Sequence, residues 1–189
     1  MVTIIKTMRN KINLKKLIIS ILICQMAGFV GSFFTTPKIQ TWYDTINKPS
    51  FTPPGSFIGL VWTILFFLMG YSLYLVWDKN WKSEVSEKEK KAKYWNKITE
   101  KLWKGEWREE NAVLIFALQL VLNIFWSVFF FGLESPGLAF IEISMLWFAI
   151  LFTIACFYRI SKPAAYLLIP YIAWVSFAGF LNFTVWMMN

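Results

Sequence analysis

Hydrophobic residues along this chain run in long unbroken stretches, and the polar residues gather between them. Five runs stand out, at about Leu17 to Phe34, Phe57 to Trp77, Ala112 to Phe131, Leu138 to Tyr158 and Ala164 to Met188. Each is close to the roughly 20 residues a helix needs to cross the hydrocarbon of a bilayer. A barrel strand needs about half that length and alternates with period two, which none of the runs does. The pattern predicts an all-α membrane protein with a five-transmembrane-helix bundle. The first run follows Lys6, Arg9, Lys11, Lys15 and Lys16. It is longer than the ~7–15 residues of a signal-peptide core and no small-residue cleavage pattern follows it, so it is read as a retained helix.

The charges orient the bundle. With the N-terminus inside, the inside faces carry five basic residues from the N-terminal arm, ten from the second-to-third connection, and Arg159 and Lys162. The outside faces then hold only Lys38 and Lys48. This positive-inside bias predicts a multi-pass cell-membrane protein with a cytoplasmic N-terminus and an outside C-terminus. The whole chain, 1–189, is read as a single membrane domain, with 1–16 as a basic cytoplasmic arm and 78–110 as a charged, amphipathic cytoplasmic connection. In that connection Val85, Ala92, Trp95, Ile98 and Leu102 form an apolar stripe, with Trp81, Trp103 and Trp107 placed for headgroup level, as in a surface-lying helix. The outside segment Thr35 to Ser56 carries Pro37, Pro49, Pro53 and Pro54 with Trp42, Tyr43 and Phe51. Proline blocks helix and ladder bonding, so a stiff irregular loop holding aromatic side chains is expected.

Composition then limits the chemistry. The chain is 57% hydrophobic and has no histidine, which excludes imidazole acid/base catalysis, imidazole zinc sites and haem held by a proximal histidine. Cys24 and Cys156 lie inside apolar runs and are expected as buried free thiols, so neither a disulfide nor a metal site is expected. No phosphate-cradling glycine loop or other catalytic signature is present. Aromatics make up 20% of the residues. Gln119, Asn123 and Trp126 fall on one helical face of the third run, and Trp174, Ala178 and Asn182 on one face of the fifth, with Tyr171 a turn back. Trp62 lies near the outside end of the second run and Glu142 near that of the fourth. Such residues fit the wall of an amphipathic pocket near the outside ends of the helices. Intramembrane amides also bond neighbouring helices and interfacial Trp and Tyr also form belts, so both readings stand at this point. Pro170 predicts a kink in the fifth run.

Three blocks carry a family likeness. GSFFTTPKIQTWYDTINKPSFTPPGSFIGLVWTILFFLMG (Gly31 to Gly70), FALQLVLNIFWSVFFFG (Phe116 to Gly132) and LLIPYIAWVSFAGFLNFTVWMMN (Leu167 to Asn189) resemble the TspO/MBR family, the tryptophan-rich sensory proteins related to the mitochondrial translocator protein or peripheral benzodiazepine receptor. The resemblance implies a five-helix bundle whose outer end, lidded by the first loop, binds porphyrins, tetrapyrroles or other flat apolar ligands. Carried over residue by residue, the family's pocket falls on Tyr43, Pro53, Trp62, Gln119, Asn123, Trp126, Trp147, Tyr171, Trp174, Phe177, Ala178 and Leu181, to which the reading of the residues adds Glu142. Lys38 and Lys48 are the basic residues placed to meet propionates.

The function implied is a receptor- or sensor-like protein of tetrapyrrole metabolism or stress response, with the tetrapyrrole as ligand and no cofactor required. The alternative is light- and oxygen-dependent porphyrin degradation, with Trp62 and Trp174 as the reactive indoles, and a weaker one is a transporter. The bilayer is the expected macroscopic partner, with no nucleic acid; a homodimer is a family-level expectation, although Ala117 is followed four residues on by Val121 and gives no small-residue seam. Leu181 is followed by Phe183 with no basic residue after it, so sterol recognition is not expected.

Overall fold

The computed structural model describes residues 12–78 and 109–189. The predicted surface stripe from Val85 to Leu102, its flanking tryptophans, and Lys6, Arg9 and Lys11 of the basic arm lie outside the described residues. The helices are α1 (Leu14–Lys38), α2 (Gly55–Trp77), α3 (Glu109–Ser127), α4 (Pro136–Ile160), α5 (Lys162–Leu167) and α6 (Ile169–Met188). Single π-helical turns extend α1 over Ile39–Tyr43 and α3 over Val128–Gly132. Among the described residues there are five spans long and apolar enough to cross a membrane, and α5 with α6 forms the fifth. All five predicted runs are thus helices in a multi-pass membrane bundle.

The first span runs further than the sequence pattern indicates. Residues 35–43 are helical, with Pro37 inside the last turn of α1, so the irregular segment shrinks to the stretch before Gly55. A proline there removes one backbone donor, and the chain then takes a wider turn in which Asp44 N–H donates to Ile39 O at 3.0 Å. Packing holds this turn. Trp42 meets Phe130 edge-on at 5.5 Å and Tyr43 meets Phe131 at 5.7 Å, so the two π-helical turns lock together through their rings. At the other proline site, α5 and α6 meet at Leu168, and Pro170 occupies the first turn of α6, where a missing N–H breaks no intrahelical bond.

In α1, burial follows size rather than polarity. The buried residues of α1 are Ser20, Cys24, Ala27 and Gly31, while Ile18, Leu22, Phe29 and Phe33 are exposed. Lipid tails are as apolar as leucine, so nothing drives large side chains inward, whereas small ones let backbones approach. The closest approach is at Gly70 of α2, where an added Cβ would lie 2.5 Å from Ile21 Cα. Both cysteines are buried and free.

Neighbour relations set the bundle order. α1 packs against α2 and α3, α4 against α3, α5 and α6, and α5 closes the ring against α2. At the N-terminal end of α1, Asn13 Oδ1 caps the helix by accepting from Lys16 N–H, and Asn13 N–H donates to Tyr74 Oη. Tyr74 Oη–H in turn donates to Asp78 at 2.9 Å, and Lys16 Nζ lies 3.9 Å from the same carboxylate. Ser72 Oγ–H donates to Ala164 O at 2.7 Å and joins α2 to α5. No comparable bond joins α2 to α6 among the described residues, and their backbones approach at few points.

Gly70→Ala is expected to lower thermal stability in detergent by about 1–3 kcal/mol, because backbone must move to admit the methyl group. Gly59→Ala, on the same helix with nothing within 4 Å of the added carbon, is the control and is expected to leave stability unchanged or slightly raised.

Candidate functional site

The bundle from its middle to the end that carries the segment before α2, its outer half, is organised by Tyr171 on α6, which is 1% exposed. Its hydroxyl donates to Gln119 Oε1 at 2.9 Å and accepts from Asn123 Nδ2 at 3.0 Å. The four-residue spacing of Gln119 and Asn123 puts both amides on the face of α3 that meets α6. Trp62 of α2 lies edge-on to the Tyr171 ring, with centroids 6.2 Å apart, and stacks on Phe66.

A second polar chain lies nearer the outside end. Trp126 Nε1–H donates to Asn182 Oδ1 at 2.9 Å, and Asn182 Nδ2–H donates to Pro136 O at 2.7 Å, joining α3, α6 and the start of α4. Above it, Trp126 stacks on Phe130 in an aromatic cluster with Phe131, Trp42 and Tyr43. The segment before α2 is fastened over this end. Asn47 N–H donates to Asn189 Oδ1 at 2.9 Å, Asn189 Nδ2–H donates back to Asn47 O at 3.0 Å, and Phe51 stacks on Phe180. Lys48 Nζ–H donates to Tyr43 O and sits 4.5 Å from the Tyr43 ring centre. Lys38 pairs with Glu134 at 2.6 Å. Glu134 holds a left-handed backbone, φ 51°, uncommon for a residue with a side chain. Lys38 and Lys48 are therefore both engaged within the protein.

Two grooves flank α6. One, about 500 Å³, lies where α2 and α6 part and is lined by Val61, Ile64, Leu68, Pro170, Trp174 and Phe177 among others. The other, about 340 Å³, lies between α4 and α6 and includes Ser144, Trp147 and Ser176. Trp147 Nε1–H donates to Ser176 Oγ at 2.8 Å. On a helix with 3.6 residues per turn, the positions of α6 in the first groove are opposite those in the second. The structure thus gathers Gln119, Asn123, Tyr171 and Trp62 around one hydroxyl and places Trp174 with Phe177 on the first groove. Trp147 stands apart, on the far flank of α6. Tyr43 belongs to the capping aromatic cluster, Pro53 is half-buried in the segment before α2, and Ala178 and Leu181 are half-buried on α6.

Four buried polar atoms in this half of the bundle have no hydrogen-bond partner: Gln119 Nε2, both carboxyl oxygens of Glu142, and Trp174 Nε1. Buried polar atoms in native proteins are nearly always satisfied, so these four stand out. Sequence reasoning missed the Asn47–Asn189 fastening and the Lys38–Glu134 pair. Only their polarity in aromatic surroundings marked these residues.

This is a multi-pass membrane helical bundle whose outer half combines aromatic walls with buried, incompletely satisfied polar groups. Residues 20–187 match the TspO/MBR family, and the chain belongs to that family. It is 38% identical over 177 residues to the tryptophan-rich protein TspO of Archaeoglobus fulgidus, covering 94% of this chain and 99% of that one. It is 41% identical over 169 residues to the TspO of Chlorobaculum tepidum, covering 88% and 91%. With the translocator protein of Homo sapiens it shares 35% identity over 163 residues, covering 85% and 82%.

Tyr171→Phe is expected to destabilise the bundle by about 1–2 kcal/mol, since it leaves Asn123 and Gln119 without their shared partner. Thermal unfolding in detergent checks this; an unchanged midpoint would show that the amides repair themselves elsewhere.

Proposed function

We propose that this chain is a receptor- or sensor-like membrane protein that binds a porphyrin or related flat, apolar tetrapyrrole among α2, α3, α4 and α6. The observation that carries the reading is Trp174. Its ring forms the wall of a groove of about 500 Å³, in the range of small-molecule sites. Phe57 stands edge-on to it at 6.2 Å and Phe177 lies at 5.4 Å, so a macrocycle sliding between α2 and α6 meets aromatic faces. The regulatory role in tetrapyrrole metabolism or stress response follows the family likeness. Membership of one family with the translocator proteins supports, but does not specify, the ligand.

A second reading has its own support. Trp62 and Trp174 both stand where α2 faces α6, one against Tyr171 and the other on the groove. Two indoles flanking a photoexcited macrocycle are placed to donate electrons to it, the arrangement a light- and oxygen-dependent porphyrin-degrading activity needs.

The proposed orientation, in a cell membrane with the N-terminus cytoplasmic, rests on Lys15, Lys16, Arg159 and Lys162 at one end of the spans and Lys38 and Lys48 at the other.

Porphyrin titration of the purified protein is expected to quench tryptophan fluorescence, and Trp62→Phe with Trp174→Phe to weaken binding several-fold, about 0.5–1.5 kcal/mol. Quenching that is untouched by both substitutions would remove the site assignment. Illumination of the complex in oxygen separates the two readings: a growing bilin-like absorption band marks an enzyme, and an intact macrocycle a binder. For orientation, a membrane-impermeant maleimide is expected to label Asp44→Cys in intact cells and Lys162→Cys only after permeabilisation, over a low background because the native thiols are buried.

A further inference from the structure

Glu142 belongs to the inward stripe of α4, with Ala139, Ile143, Leu146 and Ile150, and is 1% exposed. Neither of its carboxyl oxygens has a hydrogen-bond partner. Asn182 bonds Pro136 O, Gly179 faces Ile143, and Trp147 bonds Ser176, so α4 and α6 run antiparallel and Glu142 lies inward of the Asn182 level.

No charge answers it among the described residues. Tyr171 from α6 and Cys24 from α1 are the titratable groups that share the buried core, a phenol and a thiol that are both neutral at pH 7. α3 and its π-helical turn present Gln119, Asn123, Trp126 and phenylalanines, none of which titrates, while Glu109 and Glu110 belong to the first turn of α3 at the inner end. Lys162 and Tyr166 of α5, with Cys156, Tyr158 and Arg159 of α4 itself, stand about four turns inward or more. Lys38 and Lys16 are paired with Glu134 and Asp78 at opposite ends of the spans.

The polar side chains of this half are turned elsewhere. Asn182 Nδ2–H donates to Pro136 O, Trp126 Nε1–H to Asn182 Oδ1, Asn123 Nδ2–H to the Tyr171 hydroxyl, and that hydroxyl to Gln119 Oε1. Gln119 Nε2 and Trp174 Nε1 are unpaired donors, but neither bonds the carboxyl. An ionised carboxylate can only accept, so its charge here has neither a cation nor a donor to meet. Protonated, the same group becomes a donor, and the backbone carbonyls of the surrounding helices each keep a second lone pair to receive it. Taking up a proton is how a lone buried charge is relieved.

We infer that Glu142 is a proton-binding site within the membrane: the closed bundle holds it as the neutral acid, and loss of that proton parts α4 from α6 so that water reaches the charge. The proton then acts as a ligand that keeps this flank of α6 closed, whatever else the bundle binds. The sign follows. In the unfolded chain a glutamate ionises near pH ~4.3, whereas the closed bundle keeps its proton to higher pH, so the stability this site contributes is full below about pH 4.3 and is lost as the pH rises. The chain has no histidine, so no side chain at its ordinary pKa changes charge between about pH 5 and 8 to obscure the effect.

The test uses the full chain in detergent, wild type beside Glu142→Gln, which copies the neutral acid in size and cannot ionise. At pH 7 the wild-type infrared spectrum is expected to carry a protonated-carboxyl band that the Gln variant lacks. The wild-type thermal midpoint is expected to fall by roughly 5 °C or more between pH 5 and pH 9. That of the variant is expected to stay level. Hydrogen exchange in peptides spanning Ala139 to Leu146, compared at one pH, is expected to match at pH 5 and to be faster in the wild type at pH 9. A wild type with no such band at pH 7, or with a level midpoint, overturns the inference whether or not the variant folds. A band or a fall in midpoint that survives Glu142→Gln overturns it too, as does exchange that is alike in both chains at pH 9.

Discussion

A buried hydroxyl that both gives and receives a hydrogen bond ties two helices of this bundle together near the middle of the spans. Tyr171 joins α6 to α3 through two amides, and its ring is the surface against which Trp62 of α2 is set. In hydrocarbon solvent the burial of large apolar residues contributes nothing to helix association, so bonds of this kind and close backbone contact must supply it. The inner half relies on the second means, with small residues along α1 and Gly70 pressed on Ile21. The outer half relies on the first.

This division explains where a ligand can be received. Close backbone packing leaves no space, and the described residues of the inner half are further tied by Ser72 to Ala164 and by the Tyr74–Asp78–Lys16 group. Polar chains, by contrast, fix helices at a few points and leave gaps between them, and both grooves lie beside α6. The same half keeps Gln119, Glu142 and Trp174 with atoms unpaired. Close backbone packing is concentrated at one end, and polar chains with grooves between helices at the other.

The spans were legible in the sequence because a bilayer demands about 20 apolar residues whatever the fold. So were Gln119, Asn123 and Trp126 as one face, since helical periodicity alone places them. Pro170 marked the neighbourhood of a break in the fifth run, which falls two residues earlier, at Leu168. It could not show that the helix continues past Phe34, because what carries it through Pro37 is the contact of Trp42 and Tyr43 with Phe130 and Phe131, residues far off in the chain. Nor could it separate Trp147 from Trp174. Which flank of α6 each indole meets depends on the tilt and register of α4 and α2 against it, and those are set by contacts such as Trp147 with Ser176 that no local pattern encodes.

The junction at Leu168 has a mechanical side. α6 has 20 residues, so it is about 30 Å long, and it has grooves on both flanks for part of its length. With regular helix interrupted at Leu168, it has the geometry of a rod: a tilt of about 5° there would carry its far tip by roughly 2.6 Å. Because Asn189 is fastened to Asn47, that displacement is delivered to the segment before α2 rather than lost at a free end. Such a tilt would link the level of Trp174 to the segment before α2, about four turns away, without any helix having to unwind.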